Sequence, residues 1–346
     1  MTLNLGILGF GRIGAEHAGW ISASDGICVA KVADPTEARR TRARNGGFRT
    51  CSQLDELLED SSINAILIAT PSAMHFEHAE KALRAGKHVM VEKPMAMDLA
   101  QAQAMVETAR DNGKVLSVFH NRRWDIDYLT VKDAIALGRV GKIINIESRI
   151  HQWAPCVGPA AREYHPNWRN EAAFGGGGLY DWGSHLLDQI WQVMLPAKPV
   201  DVFAQLRGNV WSSDCDDFAR VCINFDNGAV AMVEINTTTT RPLPRWRIDA
   251  ALGTAEAPQS ATYDTREWAQ LQFRPAIGKE VLLPVANDGL TESDIWTRFA
   301  SAIHIGSPSA VPAETVLPTM ALIDAARRSS HSGQAVQVRD LVQRSC

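Results

Sequence analysis

Three residues in this chain have the types and spacing to move a proton and steady an oxygen. Lys93 stands in Glu92-Lys93-Pro94, directly after the strand-like run His88-Val89-Met90-Val91. Asp181 and His185 lie far downstream, within Asp181-Trp182-Gly183-Ser184-His185. Pro94 biases Lys93 away from helical backbone, which helps project it off a strand end. An ammonium placed there can hydrogen-bond a substrate oxygen and stabilise developing alkoxide character. Imidazole titrates near neutrality, so His185 is the natural base for a hydroxyl proton, and Asp181, one helical turn away, is placed to orient it. Oxidation of an alcohol also needs a hydride acceptor.

A glycine turn supplies the place for one. Gly9-Phe10-Gly11-Arg12-Ile13-Gly14 follows an apolar strand and opens a helix. Its first glycine allows the tight turn, its second the approach of a pyrophosphate, and its third close helix–strand packing. Asp34 follows Gly14 by 20 residues, at the end of the next strand, where an acid binds adenosine ribose hydroxyls. That acid repels a 2′-phosphate, so NAD is expected over NADP. Arg39, Arg40 and Arg42 stand close enough to relax the choice, but are read as a solvated helix face. Thr70 and Pro71 end the next apolar strand and are expected against the dinucleotide; His75, at the start of the following helix, is a further candidate, with a structural or solvated role as its alternative. Glu92, Lys93, Pro94 and Asn121 complete the expected cofactor contacts.

Asp181, His185, Asp188 and Gln192 fall at helical spacing. At about 100° per residue they form a stripe about 60° wide on a helix that is otherwise apolar. A buried stripe of that kind must be paired or must face a wet cavity. Asp188 is expected to hold substrate or to serve structure alone. Four glycines, 175–178, precede the helix. Asp181 and His185 without a third spaced ligand do not suggest a metal.

The elements that must carry these residues change character along the chain. Residues 1–120 alternate short apolar strands with helices, the mark of a parallel sheet covered on both faces. Strands are expected at 3–8, 27–33, 65–69, 88–92 and 115–119, with helices at 13–22, 35–45, 54–58, 75–85 and 99–112. Residues 121–346 carry longer alternating strands at 142–152, 200–207, 218–225, 229–235, 247–252 and 271–273. Asp226-Asn227-Gly228 is a hairpin signal between two of them. Helices are expected at 128–137, 292–303 and 315–330, the last two packing back on either part. The fold class is thus α/β, a Rossmann dinucleotide-binding domain over 1–120, followed by an α+β domain with a mostly antiparallel sheet over 121–346.

Composition agrees. The chain has 346 residues, 45% hydrophobic and 21% charged, with a net charge of −4. That balance gives no reason to expect nucleic acid or an anionic membrane as partner. No apolar stretch approaches the roughly 20 residues that span a bilayer. No basic-then-apolar leader opens the chain, and Cys28, Cys51, Cys156, Cys215, Cys222 and Cys346 are scattered without a C-x-x-C pair. A cytoplasmic protein with reduced thiols is expected. Six of the ten tryptophans fall between Trp124 and Trp211. Aromatic faces pack on the apolar faces of sugar rings. Trp124, Trp153, Trp168 and Tyr180 are therefore substrate-pocket candidates, whereas Trp191 is read as core. Arg122 is a candidate for substrate hydroxyls, and for Arg122 and Arg123 a structural ion pair is an equal alternative.

Together these motifs resemble the glucose–fructose oxidoreductase/inositol dehydrogenase/MocA family. The resemblance covers essentially the whole chain. It rests on GFGRIG (9–14), Asp34, ATPSAMH (69–75), EKP (92–94), HNRRW (120–124) and GGGGLYDWGSHLLD (175–188). It implies a C-terminal domain whose large open sheet mediates homodimers or homotetramers. It also implies that Lys93, Asp181 and His185 are the catalytic set, with the histidine as acid/base. Sugars, inositols and related polyols are the implied substrates. HNRRW and LYDWGSHLLD look most like a branch related to inositol dehydrogenases. Some members of that branch use NADP and lack an acid at the Asp34 position. Two rival readings share the fold: a glycosidase working by transient oxidation on NAD, and a non-catalytic dinucleotide sensor.

Overall fold

The computed structural model describes residues 2–156, 168–258 and 263–338. Six strands form the first sheet: β1 (Leu3–Leu8), β2 (Ile27–Ala33), β3 (Thr50–Cys51), β4 (Ala65–Ile68), β5 (His88–Val91) and β6 (Leu116–Val118). All pair in parallel, in the order β3-β2-β1-β4-β5-β6. The Ala-Ile-Leu-Ile of β4 is buried on both faces, as helices above and below require. Strand order reverses between β1 and β4. A crevice therefore opens at their carboxyl ends, the usual ligand position of such sheets.

Nine strands form the second sheet. They are β7 (Ile143–His151), β8 (Pro199–Arg207), β9 (Phe218–Phe225), β10 (Val230–Asn236), β11 (Trp246–Ala250), β12 (Gly253–Ala257), β13 (Gln272–Pro275), β14 (Val281–Leu282) and β15 (Val336–Gln337). Their order is β14-β13-β12-β11-β7-β10-β9-β8-β15. Only the β7–β10 pair is parallel. Alternate residues of β9 are buried, so one face of the sheet packs inward and the other is open. The expected Asp226-Asn227-Gly228 hairpin joins β9 to β10, with Gly228 at φ +84°. The strand expected over 247–252 is shorter than its pattern. The chain turns after Ala250 and enters β12 at Gly253, φ +148°, where an added Cβ would lie 2.2 Å from the Arg274 carbonyl oxygen.

Two late helices return to the first sheet. Glu292–Ile305 packs on the Arg12–Ser22 helix and on β2. Leu317–Ser332 lies between β8 and the Leu99–Asp111 helix. The Ser184–Met194 helix packs on Leu317–Ser332 and on β7 and β10, which fixes it between the second sheet and the crevice.

Candidate active site

The glycine turn is built as dinucleotide binding requires. Gly9 has φ +92°, and a Cβ there would sit 2.7 Å from the Ala69 carbonyl oxygen. A Cβ on Gly14 would meet the Gly9 carbonyl oxygen at 2.1 Å. Above Gly11 only the Arg39 guanidinium comes near, so its backbone is open to approach. No side chain caps the Arg12–Ser22 helix, which leaves its first amides available to a phosphate. A cavity of about 250 Å³ runs from Asp34 past this turn to Lys93 and Trp168. The residues present thus fit a dinucleotide.

Asp34 is 1% exposed. Its Oδ2 accepts the Phe10 amide at 2.7 Å and its Oδ1 the Thr36 amide at 2.9 Å. The Phe10 ring lies in the core against Phe48, so Phe10 offers the site its backbone only. Arg12 and Ile13 border the cavity. The three arginines are not a uniformly solvated face. Arg39 borders the cavity with Nη1 3.7 Å from Asp34 Oδ2. Arg40 is tied to Glu37 and to the carbonyls of Asp34 and Pro35. Arg42 donates to the carbonyls of Phe10 and Gly11. Ser52 and Gln53 also line the cavity, and nothing in their sequence pattern marks them.

Thr70, Pro71, His75, Glu92 and Lys93 all border the same cavity. His75 Nδ1 lies 2.8 Å from the Pro94 carbonyl oxygen and Nε2 lies 2.9 Å from that of Thr70. Its polar atoms therefore join two loops of the protein rather than face a ligand. Burial lowers its pKa. Asn121 donates to Glu292 Oε1 at 3.2 Å, which turns its amide towards a C-terminal helix.

Lys93, Asp181 and His185 converge, although not in the expected pairing. Lys93 Nζ donates to Asp181 Oδ1 at 2.9 Å and to its carbonyl oxygen at 3.2 Å. Arg169 Nε stands 3.8 Å from the same Oδ1. Burial opposes ionisation of Asp181, but the Lys93 and Arg169 charges hold its pKa below the usual range. His185 is 4% exposed, and its Nδ1 has no partner among the described residues. Burial, then the charges of Lys93 and Arg122, push its pKa well below the ordinary imidazole value. Asp181 thus holds the lysine and does not orient the histidine. The cause is local: Leu179–Gly183 forms a π turn before the Ser184–Met194 α-helix, so α-helical spacing fails across the junction. The glycines ahead of it make room for Asp216, which accepts the Leu179 amide at 2.7 Å. A Cβ on Gly177 would lie 2.2 Å from Asp216 Oδ1.

Asp188 leaves the stripe as well. It takes a two-pronged ion pair from Arg123, at 2.7 and 2.8 Å, and the Thr319 hydroxyl at 2.9 Å. Asp188 and Arg123 thus pair with each other. Arg122 points elsewhere. Its guanidinium lies 4.2 Å from the Tyr263 ring centroid and 5.0 Å from that of Trp182, and bonds Asp125 at 3.2 Å.

The aromatic candidates divide. Trp168 borders the cavity with the Arg169 guanidinium 4.3 Å from its ring centroid. Tyr180 is buried and donates its hydroxyl to the Met97 carbonyl at 2.6 Å, a structural contact. Trp124 packs against the hydrophobic core. Trp153 is 56% exposed, meets Trp211 edge-on at 5.4 Å and does not line the cavity. Trp191 packs on the core as expected. The sequence reading missed Arg169, Trp182 and Tyr263. Trp182 was hidden among apolar helix positions, Arg169 lies in a single 3-10 turn, Trp168–Asn170, too short to show periodicity, and Tyr263 lies outside any helix or strand. Among the described residues no cluster of three or more His, Cys, Asp or Glu could hold a metal. No described helix is long and apolar enough to cross a membrane.

Comparison with known proteins matches residues 3–120 to the GFO/IDH/MocA oxidoreductase family, NAD-binding Rossmann fold. Residues 128–256 match the GFO/IDH/MocA C-terminal domain. The uncharacterized oxidoreductase YdgJ of Escherichia coli is 36% identical over 62% of this chain, a match spanning only 60% of that relative's length. The scyllo-inositol 2-dehydrogenase (NADP(+)) IolW of Bacillus subtilis is 26% identical over 97% of this chain and 96% of its own. A solved NAD-binding protein from Listeria innocua superposes with a TM-score of 0.88 at 29% identity, covering 99% of both chains.

Proposed function

We propose that this chain, which belongs to the GFO/IDH/MocA oxidoreductase family, oxidises a secondary hydroxyl of a cyclic polyol or sugar, or reduces the matching ketone. It is an NAD(P)-dependent oxidoreductase; the hydroxyl, the substrate class and the residue roles are our reading. One observation carries it. A buried imidazole with an unpartnered Nδ1 and a lowered pKa stands near an ammonium that is held by a carboxylate and borders a dinucleotide cavity.

When bound, the nicotinamide supplies the hydride acceptor. His185 takes the hydroxyl proton; its depressed pKa keeps it in the accepting form at neutral pH. Lys93 donates to the substrate oxygen and steadies the charge left there. Asp181 and Arg169 hold that ammonium in place. Trp168, on the cavity wall, offers a stacking face to a hydroxylated ring. In this reading residues 1–120 bind the cofactor and residues 121–346 supply the substrate side. The open face of the nine-stranded sheet, where Ile144 and Phe203 are 58% and 40% exposed, is then the surface for self-association.

The test is nicotinamide absorbance with the purified protein, NAD and NADP in parallel, across inositols, aldoses and sugar acids. Reduction of cofactor by one polyol class is expected. Release of a leaving group from a glycoside with no net reduction would replace this reading with a glycosidase.

A further inference from the structure

Behind Lys93 lies a chain of hydrogen bonds that the proposed reaction does not use. Trp296, fully buried in the Glu292–Ile305 helix, donates its indole N–H to His17 Nδ1 at 3.1 Å. An indole nitrogen can only donate, so Nδ1 is the accepting nitrogen and Nε2 carries the proton. That proton faces Glu92 Oε1 at 2.8 Å. The other carboxylate oxygen, Oε2, accepts the backbone amide of Lys93 at 3.0 Å. The donors run from indole to imidazole to carboxylate, and the lysine's own amide donates to the same carboxylate from the other side.

The setting makes each link costly to break. His17 is completely buried inside an aromatic box, with ring centroids 4.3 Å from Phe119, 4.9 Å from Trp20 and 5.4 Å from Trp296. A buried imidazole without partners costs more than an apolar side chain of the same size. Apolar packing alone would not place a histidine there. Burial opposes ionisation of Glu92, but the His17 hydrogen bond, and then the Lys93 charge and the Lys93 amide, hold its pKa below the usual range. The chain joins three segments distant in sequence: the helix after the glycine turn, the end of β5 and a C-terminal helix.

We infer that Trp296 and His17 are positioning residues for Lys93, acting through Glu92. The inference rests on the role proposed above for the lysine. Lys93 is held at two points, its amide by Glu92 and its ammonium by Asp181. The first anchor keeps its strand-end backbone still. The second aims its side chain. Trp296 and Glu92 together fix the tautomer and the place of His17, so that its N–H meets the carboxylate squarely.

Trp296→Phe keeps an aromatic ring and removes only the N–H. In the full-length wild type, nitrogen-15 NMR is expected to show His17 protonated on Nε2 and bare on Nδ1. In W296F the Nδ1 signal moves because it has lost its donor, and the Lys93 amide signal shifts. Turnover falls about 10-fold, as a small misplacement of a reacting group does, while NAD affinity by protein fluorescence stays within about twofold. Glu92→Gln, which keeps the shape and removes the charge, shifts the same Lys93 amide. A proton on Nδ1 in the wild type overturns the inference. So does a Lys93 amide unmoved in both variants. The NMR arm needs no substrate, so it stands or falls separately from the dehydrogenase reading, which the absorbance panel decides.

Discussion

Asp181 gives its carboxylate to Lys93, 2.9 Å away, and not to His185 in the next turn of the same helical segment. The histidine is left with an unpartnered Nδ1 and a depressed pKa, and the lysine with a fixed aim. This separates two tasks. Proton acceptance belongs to a desolvated imidazole, and charge stabilisation to an ammonium–carboxylate unit.

The unit predicts non-additive kinetics. Lys93→Ala should remove most turnover and leave cofactor affinity nearly intact. Asp181→Asn frees the ammonium and should cost a comparable factor, about 100-fold. If the two act as one device, the double variant loses little more than either single variant. Turnover numbers for the three variants check this. Losses that multiply would mean that the pair works as two independent groups.

The pH profile follows from the sign of the His185 shift. A base must be unprotonated, and a lowered pKa keeps it so to lower pH. The acid limb of kcat/KM in the free enzyme is therefore expected below the ordinary imidazole value of 6.5. A limb at or above that value would remove His185 from the role of base.

Stability carries the same sign. His120 is 1% exposed, and burial lowers its pKa from 6.5 to about 4. His78 and His88, less buried, are also lowered to about 4. Between pH 6.5 and about 4 the unfolded chain binds protons that the folded chain refuses, so stability falls as pH falls through that window. His120 alone contributes on the order of 3 kcal/mol across it. Melting temperature against pH, with His120→Asn as the comparison, measures the slope. A variant as acid-sensitive as the wild type would show that this histidine does not set it.

Much of the site could be read from the chain because burial leaves a mark on pattern. The Ala-Ile-Leu-Ile of β4 is apolar without alternation because helices cover both its faces, and that placed Thr70 and Pro71 at a strand end facing the crevice. The glycine spacing reflects clashes that a Cβ would create. Other features leave no such mark. A π turn has the same composition as an α turn, so the Asp181–His185 pairing read from periodicity was wrong. Arg169 meets Asp181 from a three-residue 3-10 turn, and Tyr263 reaches Arg122 across a sequence gap of 141 residues. Trp153 and Trp168 are equal as residue types. Only the path of the chain brings one to the cavity and leaves the other at the surface.

Cofactor choice should turn on two side chains at the adenosine end. Asp34 is held as an acceptor by two backbone amides and disfavours a 2′-phosphate, whereas Arg39, 3.7 Å away on the cavity wall, favours one. Arg39 borders the cavity, whereas Arg40 and Arg42 turn to Glu37 and to loop carbonyls, so Arg39 is the arginine placed to meet a 2′-phosphate. Asp34→Ser should narrow the NAD to NADP ratio of kcat/KM about 10-fold, through the lost repulsion and the lost ribose contact. Arg39→Gln should move the ratio the other way by weakening NADP alone. Titration with 2′,5′-ADP against 5′-AMP reads the same preference without turnover. If both nucleotides respond equally to Arg39→Gln, the arginine serves the loop and not the 2′ position, and Asp34 discriminates alone.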